Sequence, residues 1–351
     1  MLIRNLFLVS SLVVLAAAAP TRPDRSAERD IPDIDAGIAA AQNARTYDAA
    51  IQLFGHALAR TDLTSADEAT VYYNRGIVYL EKSDYGPALA DFDATIGLDP
   101  ALAGAYIGRG LAHEKTGATG PAIADYSNAI ALDPADSTAY HDRAAVFQQN
   151  GQFDRAIADF DAALQLDPGD AYAYAERGHA YRATGRYDRA LADFDAAIKL
   201  VPNEPYFYNS RAYLDFDTAH FATAEADFQR SLDLDPAQPY TSLWLGLTRA
   251  KLAGYNPASL PADNAAAWPM PIMRFYRGQL SAEAMMAAAS AGDPAERPAR
   301  ACEALFFRGE YALLQRHQPE ALQLLRQARA SCPVTVAPYA SASAELARLG
   351  G

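Results

Sequence analysis

The 351-residue chain has only 2 cysteines, 2 tryptophans, 5 methionines and 6 histidines. Two cysteines exclude a multi-bridge disulfide framework and a cysteine-rich zinc site. The histidines do not cluster, so no metal site is expected: His113, His141 and His179 fall at different phases of the pattern below and face different ways. Basic charge is also short. Thirty Lys and Arg against 43 Asp and Glu give a formal net charge of −13, which argues against a nucleic-acid partner. The deficit is uneven: residues 1–30 carry +1, residues 31–238 carry −17, and residues 239–351 carry +3. Missing too are the G-x-S-x-G, H-E-x-x-H and G-x-x-x-x-G-K patterns that would place a nucleophile, a zinc or a phosphate. Asp159 and Asp161, two apart on a helix, point to different sides and make no catalytic dyad. A non-enzyme without a cofactor is the expectation.

What stands at the start is an export pattern. Arg4 precedes the apolar run Leu6–Leu15, and Ala16–Ala19 offers small residues for cleavage. Leu6–Ala19 spans 14 residues, short of the ~20 a membrane-spanning helix needs. Residues 1–19 read as a cleaved signal peptide and 20–30 as a polar linker. No cysteine lies nearby to accept a lipid, so a periplasmic protein without a lipid anchor is expected.

The middle of the chain repeats every 34 residues. Pro100, Pro134, Pro168, Pro202 and Pro236 keep that spacing. So do Ala88, Ala122, Ala156, Ala190 and Ala224, and so do Phe92, Tyr126, Phe160, Phe194 and Phe228. Within 171–204 the period is helical: Tyr174, Gly178 and Tyr181 share one face, and Tyr187, Ala190, Leu191, Phe194, Ala197 and Ile198 share another. Gly185 separates the two helices and Pro202 ends the second. One such hairpin buries one side only, so stacked neighbours must complete the core. Arg75, Arg109, Arg143, Arg177 and Arg211 recur at position 7, and Asp91, Asp125, Asp159, Asp193 and Asp227 at position 23. The two columns predict a ladder of pairs between facing helices; five arginines lining a groove for an anion is the other reading.

These columns resemble the tetratricopeptide repeat, with small residues at positions 8 and 20, aromatics at 4, 11, 17 and 24, and proline at 32. The resemblance implies an all-α superhelical solenoid of helix-turn-helix hairpins with a degenerate helical C-terminal segment. Five full units span 69–238, and a degenerate one, marked by Tyr47, Ala50, Phe54, Ala57 and Leu58, spans 31–68. Ser65 or Asp67 is expected to cap the next helix. Residues 239–351 hold a sixth helix A at 239–253, proline-broken pieces, a hairpin at 302–335 with Gly309, Ala321 and Leu325, and a last capping helix at about 337–349.

Three stretches, SLWLGLTRAKL at 242–252, AAWPMPIMRFYRGQLS at 266–281 and CEALFFRGEYAL at 302–313, together with ASAELARL at 342–349, resemble the periplasmic NlpI-type adaptors. That resemblance implies a non-catalytic adaptor for protein or peptide partners of the bacterial envelope, peptidoglycan hydrolases or a processing protease among them, with a homodimer as the assembly. Those relatives are lipoproteins, and this chain lacks their cysteine. A self-assembling subunit of an envelope complex, its basic 239–351 segment docked on an acidic neighbour, is the alternative.

In the tetratricopeptide fold, positions 2, 5, 9 and 12 of helix A line the concave surface. The stripe here includes Tyr73, Ile107, His141, Tyr172, His179, Arg182, Tyr206, Asn209 and Tyr213. The tyrosines at 172, 206 and 213 are the expected anchors for a partner. Alternatively, members of the stripe pack against adjacent helices. Cys302 is expected to open one helix of an antiparallel hairpin and Cys332 to close the other, which brings them to neighbouring ends. An oxidising compartment favours a bond there; two unrelated buried thiols is the other reading.

Overall fold

The structure, a computed structural model, describes residues 32–42, 46–254 and 267–350. The expected leader at 1–19, the linker at 20–30 and the start of the first unit at Ile31 lie outside the described residues. The described residues form 18 α-helices and no strand. They run α1 Pro32–Ala41, α2 Tyr47–Leu58, α3 Ser65–Glu81, α4 Tyr85–Leu98, α5 Ala103–Lys115, α6 Thr119–Leu132, α7 Ser137–Gln149, α8 Phe153–Leu166 and α9 Ala171–Ala183. Then follow α10 Tyr187–Leu200, α11 Pro205–Asp217, α12 Phe221–Leu234, α13 Pro239–Ala253, α14 Met270–Tyr276, α15 Ala282–Ala289, α16 Arg297–Leu314, α17 Gln318–Ser331 and α18 Ala337–Arg348. The chain divides into two compact units, residues 1–146 and 147–351.

Each hairpin is shaped by one small residue against one ring. A Cβ on Gly178 would stand 2.7 Å from the Phe194 ring, so only glycine lets α9 approach α10 this closely. The rings at position 24 (Phe92, Tyr126, Phe160, Phe194 and Phe228) are all fully enclosed, as are the five alanines at position 20. Five aromatic side chains buried in one register contribute most of the packing energy of the repeats.

The turn between the two helices is also fixed by backbone. In six hairpins a residue at position 15 takes the left-handed conformation: Ser83, Gly117, Gly151, Gly185, Ala219 and Arg316. The following amide donates to the carbonyl five residues back, at 2.8 Å in every case, as in Arg186 to Tyr181 and His317 to Ala312. This closes the helix end. Three of the six are not glycine and carry a steric cost. Ala219→Gly is therefore expected to stabilise the 147–351 unit by about 0.5–1 kcal/mol; a urea melt showing a loss would contradict this.

Two details depart from expectation. Thr64, rather than Ser65 or Asp67, is the N-cap of α3: its hydroxyl accepts the Asp67 amide while the Asp67 carboxylate accepts the Thr64 amide. And α16 begins at Arg297, so Cys302 lies inside the helix rather than opening it. Cys332 caps the end of α17, and the antiparallel pair still brings the two together: they form a disulfide with Cα atoms 4.9 Å apart. Closing a loop of that size contributes about 3.6 kcal/mol by the loop-entropy relation.

Beyond α13 the chain builds a second aromatic centre. Trp244 is 1% exposed and is ringed by Tyr213, Phe216, Phe228, Phe306 and Phe307 at centroid distances of 5.0–6.4 Å. This cluster joins α11, α12, α13 and α16. Among the described residues no helix is long and apolar enough to cross a membrane.

Candidate protein-binding site

The predicted arginine–aspartate columns meet in space. Arg75 grips Asp91 with Nε and Nη2, both at 2.8 Å. Arg109 with Asp125, Arg177 with Asp193 and Arg211 with Asp227 repeat the fork at 2.7–2.9 Å. A second acceptor was not foreseen. The remaining Nη1 reaches back one hairpin, Arg109 to Asp93, Arg177 to Asp161 and Arg211 to Asp195, each at 2.6 Å. Arg143 makes the same reach to Ser127 at 2.9 Å, where the first, third and fourth units have aspartate. Position 25 recurs in the sequence as Asp93, Asp161 and Asp195, and that spacing was the available signal. Arg75, Arg109, Arg177 and Arg211 are forked onto fixed carboxylates and lie against tyrosine rings, as Arg177 does against Tyr174 and Tyr181. These four hold the hairpins in register and have no fork left for an anion.

In the first unit, the Tyr73 ring lies edge-on to Phe92, and its hydroxyl fills the space that a Cβ on Gly104 would need. Burial, with Asp136 nearby, pushes that phenol up to about 12. Ile107 is buried, and His141 is half-buried.

The second unit gathers more chemistry. Asp170 caps α9 through the Tyr172 and Ala173 amides, and Glu204 caps α11 through the Tyr206 amide. The caps set Tyr172 and Tyr206 one turn into parallel positions, with rings 6.2 Å apart and 11° from coplanar. Their hydroxyls cross over: Tyr172 donates to Glu204 at 3.0 Å and Tyr206 to Glu176 at 2.9 Å. Gln148 donates to the other oxygen of Glu176 at 2.7 Å. Both rings stay partly exposed while their orientation is locked. Burial, then the hydrogen bond to Glu204, raises the Tyr172 phenol above its ordinary value. Glu176 and Glu204 were missed from the sequence; the clue was that a half-buried tyrosine hydroxyl requires an acceptor.

His179 is neutral. Burial pushes its imidazole down to about 4, and Nε2 lies 3.0 Å from the Ser210 hydroxyl. Asn209 donates to Gln238 at 2.8 Å and its carbonyl oxygen accepts from Thr241.

Besides the buried Ile107 and Asn209, two more residues of the stripe do not face open space. Tyr213 stands edge-on to Phe228 and Trp244, with ring centroids 5.4 and 5.0 Å away. Arg182 is 5% exposed. Its Nε donates to Asp217 at 2.7 Å, and its Nη2 donates to the Ser341 hydroxyl at 2.8 Å and the Ala337 carbonyl at 3.3 Å. Helix α18 supplies both of those last partners and packs on α9 and α11 as well as on α17. At these positions the alternative, packing against adjacent helices, is what the structure has.

Among the described residues no group of three or more His, Cys, Asp or Glu side chains could hold a metal.

A family model for the tetratricopeptide repeat matches residues 34–103, 73–137 and 141–205. Over these residues the chain belongs to the tetratricopeptide-repeat family. Solved structures of tetratricopeptide-type fold align with part of it. A crystal structure of MamA protein is 20% identical and covers 49% of this chain and 93% of its own, with a TM-score of 0.45. YrrB, titled a TPR protein with an unusual peptide-binding site, is 20% identical over 54% of this chain and 95% of its own, with a TM-score of 0.45. PilF of Pseudomonas aeruginosa is 17% identical over 54% and 86%, with a TM-score of 0.49. No curated protein matches the chain.

Proposed function

We propose that this tetratricopeptide-repeat protein is an exported, non-catalytic adaptor that binds protein partners of the bacterial envelope through the helix-A stripe at Tyr172 and Tyr206. One observation carries the reading. The two tyrosines form a stacked, partly exposed aromatic surface whose hydroxyls are already hydrogen-bonded to Glu204 and Glu176. A surface ordered in advance loses little side-chain entropy when a partner arrives. Tyrosine offers an apolar face and a polar rim, the combination favoured at interface centres.

Export is supported by the Arg4, Leu6–Leu15 and Ala16–Ala19 pattern. The Cys302–Cys332 bond fits an oxidising compartment such as the periplasm. The likeness of 242–252, 266–281 and 302–313 to NlpI-type adaptors points to peptidoglycan hydrolases or a processing protease as partner classes.

The test is affinity capture from periplasmic extract with wild type and Tyr172→Ala/Tyr206→Ala. Wild type is expected to retain a defined set of envelope proteins, and the double variant to lose about 90% of it, a drop of about 1.4 kcal/mol. Equal recovery by the two proteins would reject this face as the binding surface.

A further inference from the structure

Helix α18 is held in an unusual way. Its fully buried positions are Pro338, Ala340, Ser341, Ala342, Ala344 and Glu345, while its larger side chains, Tyr339 and Leu346, are only partly buried against the core. Alanines bury little area each, so the hydrophobic gain from docking this face is small. Polar contacts add to the partly buried Tyr339 and Leu346 in holding the helix. The Ser341 hydroxyl donates to Asp217 at 2.6 Å and accepts from Arg182 at 2.8 Å, and the Ala337 carbonyl accepts from the same guanidinium.

The receiving surface is equally specific. The Arg182 and Asp217 side chains are 4% and 0% exposed, a charge pair withdrawn from water between α9 and α11. Such a pair costs desolvation energy that a leucine contact would not. What it does supply is selectivity: any helix lying here must place a hydroxyl between the two charges or leave them poorly satisfied.

We propose that the α9–α11 face around Arg182 and Asp217 is a receptor for a small-residue helix bearing a central hydroxyl, and that α18 occupies it in cis until a partner helix of the same chemistry displaces it. This rests on the adaptor reading and extends it by naming the partner's chemistry. The occupant in place is the template for the ligand: alanine and serine along one face, with a serine at the charge pair. The connection from Cys332 to Ala337 is short, so α18 competes at high effective concentration. A free helix with only the same contacts therefore loses to it, and a natural partner must add others, for which Tyr172 and Tyr206 lie on the same two helices.

The test uses the full chain and a fluorescein-labelled peptide with the sequence of residues 337–348. Ser341→Asp sets a carboxylate against Asp217, and Ala342→Arg overfills a fully enclosed position; either should dislodge α18. Wild type is expected to bind the peptide only weakly. Both variants should bind the peptide about 100-fold more tightly, and adding Arg182→Ala should abolish it. Release of α18, seen by hydrogen exchange, without peptide binding would overturn the proposal, as would equal binding by wild type and variants. If both variants unfold, hydrogen exchange of wild type decides. Amides of α18 opening well before those of α16 and α17 support the proposal, and opening only together with them refutes it. If envelope-protein capture fails while the peptide still binds, the adaptor reading falls and this one stands; the reverse pattern rejects this one alone.

Discussion

Lys251→Met is expected to lower the unfolding free energy of the 147–351 unit by about 3–5 kcal/mol at pH 8 and by much less at pH 5. Lys251, on α13, stands between two buried carboxylates, with Nζ 2.5 Å from Glu310 of α16 and 2.7 Å from Glu345 of α18. The Glu310 and Glu345 side chains are 0% and 2% exposed. Burial pushes Glu310 up to about 7, against the pull of Lys251 and with the repulsion of Glu345. Burial also pulls Lys251 down, but the two carboxylates together outweigh it and hold the ammonium above its ordinary value. The sign follows from these directions. The folded chain holds the Glu310 proton more tightly than the unfolded chain, so this group's stabilising contribution is full below its ordinary 4.5 and is lost as pH rises through about 7. Without the lysine, Glu310 rises further, and at pH 8 folding must bury carboxylate charge with less compensation. At pH 5 Glu310 is already neutral in the folded state, and the loss shrinks. Urea denaturation followed by tryptophan fluorescence reads this directly, because both tryptophans lie in the 147–351 unit and Trp244 is buried. An equal loss at both pH values would contradict the account.

Arg177→Leu is expected to cost about 3 kcal/mol. The guanidinium makes two bonds to Asp193 of α10 and a third to Asp161 of α8, so one side chain fixes its own hairpin and the preceding helix. Its side chain is 17% exposed and that of Asp193 is 7% exposed, which places the loss at the low end for a buried pair. Burial already holds Asp193 above the ordinary carboxylate value despite Arg177. Leucine would leave that carboxylate buried without its fork. Arg177→Lys should recover only part of the loss, because an ammonium cannot bond both oxygens in the same plane. The control is Arg60→Leu: Arg60 and Asp62 are 39% and 57% exposed, and water screens such a pair, so its loss should be far smaller. Similar losses for Arg177→Leu and Arg60→Leu in chemical denaturation would remove the ladder as a determinant of repeat stability.

Much of this was legible because it is local and repeated. A glycine or alanine facing a ring 16 residues later, an arginine facing an aspartate 16 residues later, and a proline closing each unit are constraints inside one hairpin. Five copies make the constraints visible above chance. The left-handed turn at Ser83, Ala219 and Arg316 was not visible, because the hairpin register imposes that backbone on residues that do not prefer it. Nor was the docking of α18. Arg182 and Ser341 are 159 residues apart, and the fully buried positions of α18 hold no large apolar side chain to announce a contact. Arg182 and Tyr213 therefore fall by position on the helix-A stripe, whereas Arg182 is covered by that helix and Tyr213 is taken up by Phe228 and Trp244. The same limit hid the lysine and the two glutamates that join α13, α16 and α18: each is an ordinary surface residue until the fold removes its water.

The binding face is tested most directly by photo-crosslinking in living cells from a benzoylphenylalanine placed at position 206, with position 199 as a control. Tyr206 lies on the stripe beside Tyr172, and Lys199 is exposed on α10. Discrete adducts to envelope proteins from 206 and none from 199 are the predicted result. Adducts from 199 alone, or no adduct from 206, would contradict a protein-binding role for the helix-A stripe.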